Sequence, residues 1–381
     1  MSKRRVLFFT TSMGGGGAES HALRLMNALD RERFAPSLAV SRRGGSYEKF
    51  LADDTAIIDV GTLPTKSSTG RLISAAPGLV ALLERERFDL MVSLMDTPNI
   101  VALGAAVFAG RHAPPVLACV QIPPSIEYAR SRAGKLVLPT LARLYPNAAR
   151  VIALSYGVER DLQTLFPHLT NLVTIHNACV DERVLKAAAT EAEGVSDDGG
   201  PAFVAVGRLT YQKGYPYLLD AFSIVRKKHR CQLWILGQGP DRAALEQRIA
   251  ELGIGDSVHL LGFRDNPQAY MARAHAFVLS SLYEGFGNVV AEALAVGTAV
   301  VSTDCPHGPS EIFEHDKSGL LVPVKDAPAL AAAMSRILEE PGLRERLGAA
   351  GRERATAFTG EAIARKYEQL FEQVLSERAP S

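Results

Sequence analysis

The chain has 381 residues, 47% of them apolar and 22% charged, which is too long for one ordinary core and points to a globular protein of two domains. A formal net charge of +1 excludes a general polyanion binder, and with it a nucleic-acid partner. The charge is uneven: residues 1–180 carry 20 Lys+Arg against 14 Asp+Glu, a net +6, and residues 181–381 carry 22 against 27, a net −5.

Lys3-Arg4-Arg5 precedes only four apolar residues before Thr10-Thr11-Ser12, too few for a secretory signal. Val6 to Phe9 reads as a buried first strand. Gly14 to Gly17 follow it, and a helix opens at Ala18-Glu19 with Ala22, Leu25, Met26 and Leu29 on one stripe. This start is Rossmann-like, yet it lacks the G-x-G-x-x-G spacing and the acidic residue that a dinucleotide ribose requires. Gly15, Gly16 and Gly17 are therefore either a flexible loop or a place where backbone approaches a phosphate or an acceptor. Strand-like runs follow at 37–40, 57–60, 90–94, 116–122, 151–154 and 172–175, apolar on both faces as parallel strands covered by helices must be. Residues 1–180 are thus expected to form one doubly wound domain. The longest apolar run, Ile100 to Ala109, is far below the roughly 18 residues that span a bilayer.

After Asn177 the pattern loosens, and the acidic, glycine-bearing segment 191–200, which includes Asp197 and Asp198, reads as surface near a domain junction. A second alternation runs through 202–206, 233–236, 258–261, 276–280, 298–302 and 320–322, which sets a second domain at 200–360. Its first turn is Gly207-Arg208-Leu209-Thr210-Tyr211-Gln212-Lys213-Gly214, in which two cations five residues apart can converge on a diphosphate. Gly237-Gln238-Gly239 and Gly262-Phe263-Arg264 are further turns after strands. Cys119, Cys179, Cys231 and Cys305 lie far apart, which indicates buried free thiols and a reducing cytoplasm rather than a zinc site or disulfides.

The most informative stretch is Glu284-Gly285-Phe286-Gly287-Asn288-Val289-Val290-Ala291-Glu292. It places two carboxylates across a glycine-bearing turn between strand and helix. Asn288 is expected as the helix N-cap, Glu284 in the turn and Glu292 about one turn into the helix. The carboxyl edge of an open α/β sheet is where ligands bind, and a helix N-terminus there favours a phosphate. One carboxylate suits a neutral polyol and the other a ribose. The plainer alternative is a turn-capping Glu284 and a solvated Glu292.

This Glu-x7-Glu pattern resembles the signature of the retaining glycosyltransferases of family 4. The resemblance implies an α/β chain of the GT-B type, two Rossmann-like doubly wound domains facing across a cleft, with a C-terminal helix at 361–375 crossing back onto the N-terminal domain. It implies that Glu284 binds donor sugar hydroxyls, that Glu292 binds the nucleotide ribose, and that Arg208 and Lys213 bind the donor diphosphate. Gly207, Phe263, Arg264, Phe286, Gly287, Asn288 and Val289 would complete the donor site, with backbone near Phe263 reading the base. Asp304-Cys305-Pro306-His307-Gly308-Pro309-Ser310-Glu311-Ile312 replaces the more usual glycine pair before the Glu and is similar to a subset that handles hexosamine or galactose-type donors. The family's histidine near the end of a late N-terminal strand is replaced here by Val120-Gln121-Ile122-Pro123, which makes Gln121 a candidate for a neutral hydrogen bond on the acceptor side, while His176 is expected to be structural.

The expected reaction is retaining transfer of a hexose or N-acetylhexosamine from a UDP-linked sugar to a lipid-linked or glycan acceptor, in cell-surface polysaccharide assembly. No Asp-x-Asp occurs, so neither metal nor other cofactor is expected. A nucleotide-sugar epimerase or hydrolase and a non-catalytic nucleotide-binding Rossmann protein are the alternatives. Arg111, Arg130, Arg132, Lys135, Arg143, Arg150 and Arg160, interleaved with Tyr128, Leu136, Val137, Leu138, Leu141, Leu144 and Tyr145, predict peripheral docking on an anionic membrane at the inner face.

Overall fold

Strands that are apolar on both faces require helices above and below them, and the computed structural model shows two such parallel sheets. The structure describes residues 3–61, 68–129, 134–196 and 199–378. Arg130 and Arg132 of the expected membrane patch, and Asp197 and Asp198 of the acidic segment, lie outside the described residues.

The first sheet comprises β1 (Arg4–Thr10), β2 (Phe34–Val40), β3 (Ala56–Asp59), β4 (Leu90–Leu94), β5 (Val116–Val120), β6 (Arg150–Ala153) and β7 (Leu172–Thr174). Its order is β3-β2-β1-β4-β5-β6-β7, with Phe8 opposite Leu38 on one side and Val92 on the other. Strand β5 stops at Val120 rather than running to Ile122, because Pro123 and Pro124 have no N–H to give the ladder. The second sheet comprises β8 (Ala202–Val206), β9 (Gln232–Leu236), β10 (Val258–Gly262), β11 (Ala276–Leu279), β12 (Ala299–Thr303) and β13 (Leu320–Val322), in the order β10-β9-β8-β11-β12-β13. Each sheet reverses its winding once, between β1 and β4 and between β8 and β11, so loops leaving those strands at their carboxyl ends are where a ligand would be expected.

Two compact units result, Met1–Ala178 with Thr359–Ser381 and Cys179–Phe358. In the first unit, helix Gly360–Glu377 lays Ile363, Tyr367, Phe371 and Val374 into the core beside helix Gly17–Ala28. The ring of Phe371 meets Phe34 edge-on at 5.6 Å. Thr359 caps that helix by accepting from the Ala362 N–H at 3.2 Å. In the second unit the core gathers Phe203, Leu233, Ile235, Phe222 and Val301 between the sheet and its helices. Residues 182–188, left between the two expected domains, form a helix capped by Asp181 within this unit. All four cysteines are buried free thiols.

Candidate functional site

In the second unit the loops leaving β8 and β11 are tied together at the switch point. The loop after β8 contains a single turn of 3₁₀ helix, Tyr211–Lys213, which brings Lys213 back toward the sheet edge. Lys213 Nζ reaches Glu284 Oε1 at 2.6 Å, and Ser281 Oγ donates to the same oxygen at 2.6 Å. The pair is largely removed from water, with side chains 15% and 8% exposed, so the plainer expectation of a turn-capping carboxylate does not describe Glu284. Further bonds join the loops: Ser280 Oγ to the Lys213 carbonyl at 2.7 Å, the Leu282 N–H to the Gln212 carbonyl at 2.8 Å, and Gln212 Nε2 to the Tyr283 carbonyl at 3.1 Å. Burial, with the charge of Glu284 adding to it, pushes the Tyr215 phenol well up, and its hydroxyl donates to the Gly207 carbonyl at 3.0 Å. The same two causes push the Cys305 thiol up to about 12, so it stays neutral beside the pair. Arg208 stands exposed at the start of the loop.

Glu292 is not solvated either: it is 7% exposed, and Gln268 Nε2 donates to its Oε2 at 2.8 Å. Its helix, Asn288–Ala295, is capped by Gly287, not by Asn288. Gly287 has a φ of 98°, so the chain reverses one residue earlier than expected, and Asn288 enters the first turn with its Oδ1 accepting from Cys179 Sγ at 3.4 Å. No acidic side chain lies in that first turn. Val290 N–H is taken by the Gly287 carbonyl at 2.8 Å.

Two expected donor contacts change character. Phe286 is 1% exposed and packs edge-on against Phe358 at 5.4 Å, so its ring anchors the turn from inside. Arg264 Nε donates to the Tyr270 hydroxyl at 2.9 Å, which ties the guanidinium to the following helix Pro267–Arg273, whereas Phe263 is 62% exposed just after β10. Gly207 leaves β8 with its N–H on the Leu236 carbonyl at 2.9 Å.

In the first unit Gly15, Gly16 and Gly17 form an exposed turn after β1, with Gly16 as the cap of helix Gly17–Ala28. Gln121 follows β5 and accepts from Asn177 Nδ2 at 3.1 Å. His176 meets Tyr156 edge-on at 5.5 Å. Between the two loops lies a group that sequence reasoning missed. Met95, after β4, has a φ of 78°, and Asp96 opens the next helix buried, accepting from the Tyr145 hydroxyl at 2.9 Å. Burial raises the Asp96 carboxyl to about 7 against the opposing pull of hydrogen bonds from Tyr145 and Tyr128. The readable signal was an acidic residue directly after an apolar strand and before Pro98.

The expected membrane patch is only partly a surface. Leu141 and Tyr145 are core residues, and Arg150 is taken by Glu377, because helix Gly134–Leu144 needs an apolar face to pack on its neighbours. Leu136, 76% exposed, remains outside with Lys135 and Arg143, and Phe108, 82% exposed, stands near Arg111 at the end of helix Asp96–Ala109. No helix among the described residues is long and apolar enough to cross a membrane.

Comparison with known proteins agrees with this architecture. Residues 15–183 match the family model described as Glycosyltransferase Family 4, and residues 188–354 that of Glycosyl transferases group 1. The chain is 33% identical over 368 residues to the N-acetylgalactosamine-N,N'-diacetylbacillosaminyl-diphospho-undecaprenol 4-alpha-N-acetylgalactosaminyltransferase of Campylobacter jejuni, covering 94% of this chain and 96% of that one. It is 30% identical to the lipopolysaccharide core biosynthesis glycosyltransferase LpsD of Rhizobium meliloti, covering 95% and 97%. Its fold matches Anabaena HepE, solved with UDP and glucose, with a TM-score of 0.82 at 20% identity over 97% of this chain and 100% of that chain.

Proposed function

The chain belongs to the family 4 glycosyltransferases of the GT-B fold, and on that premise we propose that it transfers a hexose or N-acetylhexosamine, with retention, from a UDP-sugar to a lipid-linked acceptor. The observation that carries the reading is the buried Lys213–Glu284 pair at 2.6 Å, set at the switch point of the second sheet beside Arg208 and the tip of helix Asn288–Ala295. Departure of a nucleoside diphosphate develops negative charge. Arg208, Lys213 and the helix tip supply fixed positive charge and dipole to meet it, without a metal. Glu284 then holds sugar hydroxyls while its charge is balanced by Lys213, and Glu292, held by Gln268, takes the ribose. The exposed Phe263 offers a face to the base. The acceptor hydroxyl attacks from the face that the diphosphate leaves, giving up its proton to the departing phosphate.

The Campylobacter and Rhizobium relatives support the acceptor class, one being named for a diphospho-undecaprenol-linked acceptor and the other for lipopolysaccharide core synthesis. Exposed Phe108 and Leu136 with Lys135, Arg111 and Arg143 support peripheral docking at the inner membrane face, where such an acceptor resides. Titration with UDP-sugars, with and without polyprenyl-diphosphate saccharide acceptors, tests this. Sugar transfer that requires acceptor is expected; donor consumption at the same rate without acceptor would identify a hydrolase or epimerase instead.

A further inference from the structure

The turn after β12 carries Pro306-His307-Gly308, and His307 has a φ of 68°. Glycine takes that conformation without steric cost, whereas a residue with a Cβ is held there only by its surroundings. The surroundings here are the Glu284 turn. Glu284 N–H donates to the Pro306 carbonyl at 3.3 Å, and Thr303 Oγ1 donates to the Ser281 carbonyl at 2.6 Å. Gly308, at a φ of 128°, packs so closely that a Cβ on it would lie 2.1 Å from the Phe286 carbonyl oxygen. His307 is thus clamped on both sides against the segment that carries the sugar-binding carboxylate, and its ring is half-buried. Asp316 and Lys325 share the positive φ but sit exposed, and Met95 takes it in the first unit.

Chain folding at this position is served best by glycine, so a strained backbone that carries an imidazole next to the Glu284 turn calls for a purpose. The diphosphate already has Arg208, Lys213 and the helix tip; the Glu284 side is the sugar side. We infer that His307 is a positioning residue for the donor sugar, hydrogen-bonding a ring hydroxyl or acetamido group next to those held by Glu284. This rests on the donor reading above. A neutral imidazole donates at one nitrogen and accepts at the other, which matches a hydroxyl that does both.

The test is calorimetric titration of wild type, His307→Gly and His307→Asn with UDP and with UDP-glucose, UDP-galactose and their N-acetylated counterparts, alongside donor KM and kcat. His307→Gly should keep its Tm or raise it, bind UDP as wild type does, and lose about tenfold in UDP-sugar affinity relative to UDP, with a raised donor KM. His307→Asn, which tolerates the same φ and keeps a hydrogen-bonding side chain, should recover part of the loss. A ratio of UDP-sugar to UDP affinity unchanged in His307→Gly would overturn this inference alone. Failure of wild type to bind any of the UDP-sugars would overturn the donor reading, and this inference with it.

Discussion

The Lys213–Glu284 pair makes a prediction in which stability and catalysis separate. Lys213→Ala leaves Glu284 with Ser281 but without its counter-ion, 8% exposed in the sheet edge. Removing one member of a buried pair costs about 3–5 kcal/mol, and the retained Ser281 bond places the cost here toward the lower end, about 3 kcal/mol. Glu284→Gln leaves an ammonium on a long flexible stem that can reach water, so its cost should be smaller, about 1–2 kcal/mol. The double variant removes both charges and should be more stable than the sum of the single losses by about 2 kcal/mol. Urea unfolding of the four proteins reads this cycle. Turnover follows a different pattern: Lys213→Ala should slow transfer by roughly a hundredfold or more, and the double variant should not regain it, because the contact to the leaving diphosphate is still missing. Additive stability losses would refute the buried pair, and near wild-type turnover in Lys213→Ala would refute its role.

Three further expectations concern other residues. Arg208→Ala removes an exposed side chain, so unfolding should shift by less than about 0.5 kcal/mol while turnover falls by roughly a hundredfold or more; a folded variant with normal turnover would contradict the assignment. Asp96 is raised from 3.8 to about 7, so the folded carboxyl keeps a proton that the unfolded chain has lost, and wild type should lose stability relative to Asp96→Asn as pH rises through that window, by about 2–4 kcal/mol. Tyr128, Tyr145, Glu127 and Asp161 act on this carboxyl, and His21, lowered to about 3 by burial, contributes the opposite slope to both proteins and cancels in the comparison. Parallel pH profiles for the two would show that the Asp96 carboxyl titrates alike in the folded and unfolded chain. In vesicle co-sedimentation the protein should bind anionic but not neutral liposomes, more weakly as salt rises. Phe108→Ser with Leu136→Ser should release it; equal binding to both lipids would exclude the basic surface.

The sheets were readable because strands such as Leu90–Leu94 and Ala202–Val206 are apolar on both faces and end at glycine or polar turns. The placement of the charged residues at the second switch point was readable for a related reason: a glycine-bearing turn that follows an apolar strand falls at the carboxyl edge of the sheet. Contacts that span distant segments were not. Lys213 and Glu284 are far apart in sequence, and only the folded sheet brings β8 and β11 side by side. The cap at Gly287 was hidden because Asn288 is itself a good capping residue, and a left-handed glycine before it shifts the helix start by one. Phe286 looked ligand-facing between two glycines, yet the turn folds its ring inward onto Phe358. In the patch around 135–150, spacing alone did not show which apolar residues the helix Gly134–Leu144 turns inward, and Leu141 and Tyr145 went to the core. Tertiary packing decides each of these cases, and local pattern carries no record of it.

We propose transfer with retention from a UDP-sugar, driven by protein cations rather than a metal. Proton NMR of the reaction in EDTA, with a UDP-hexose or UDP-N-acetylhexosamine and a polyprenyl-diphosphate saccharide, observes it directly through the anomeric coupling of the first product formed. An α product from an α donor is expected, at a rate unchanged by chelation; a β product, or a reaction that stops in EDTA and resumes with magnesium, would rule this mechanism out.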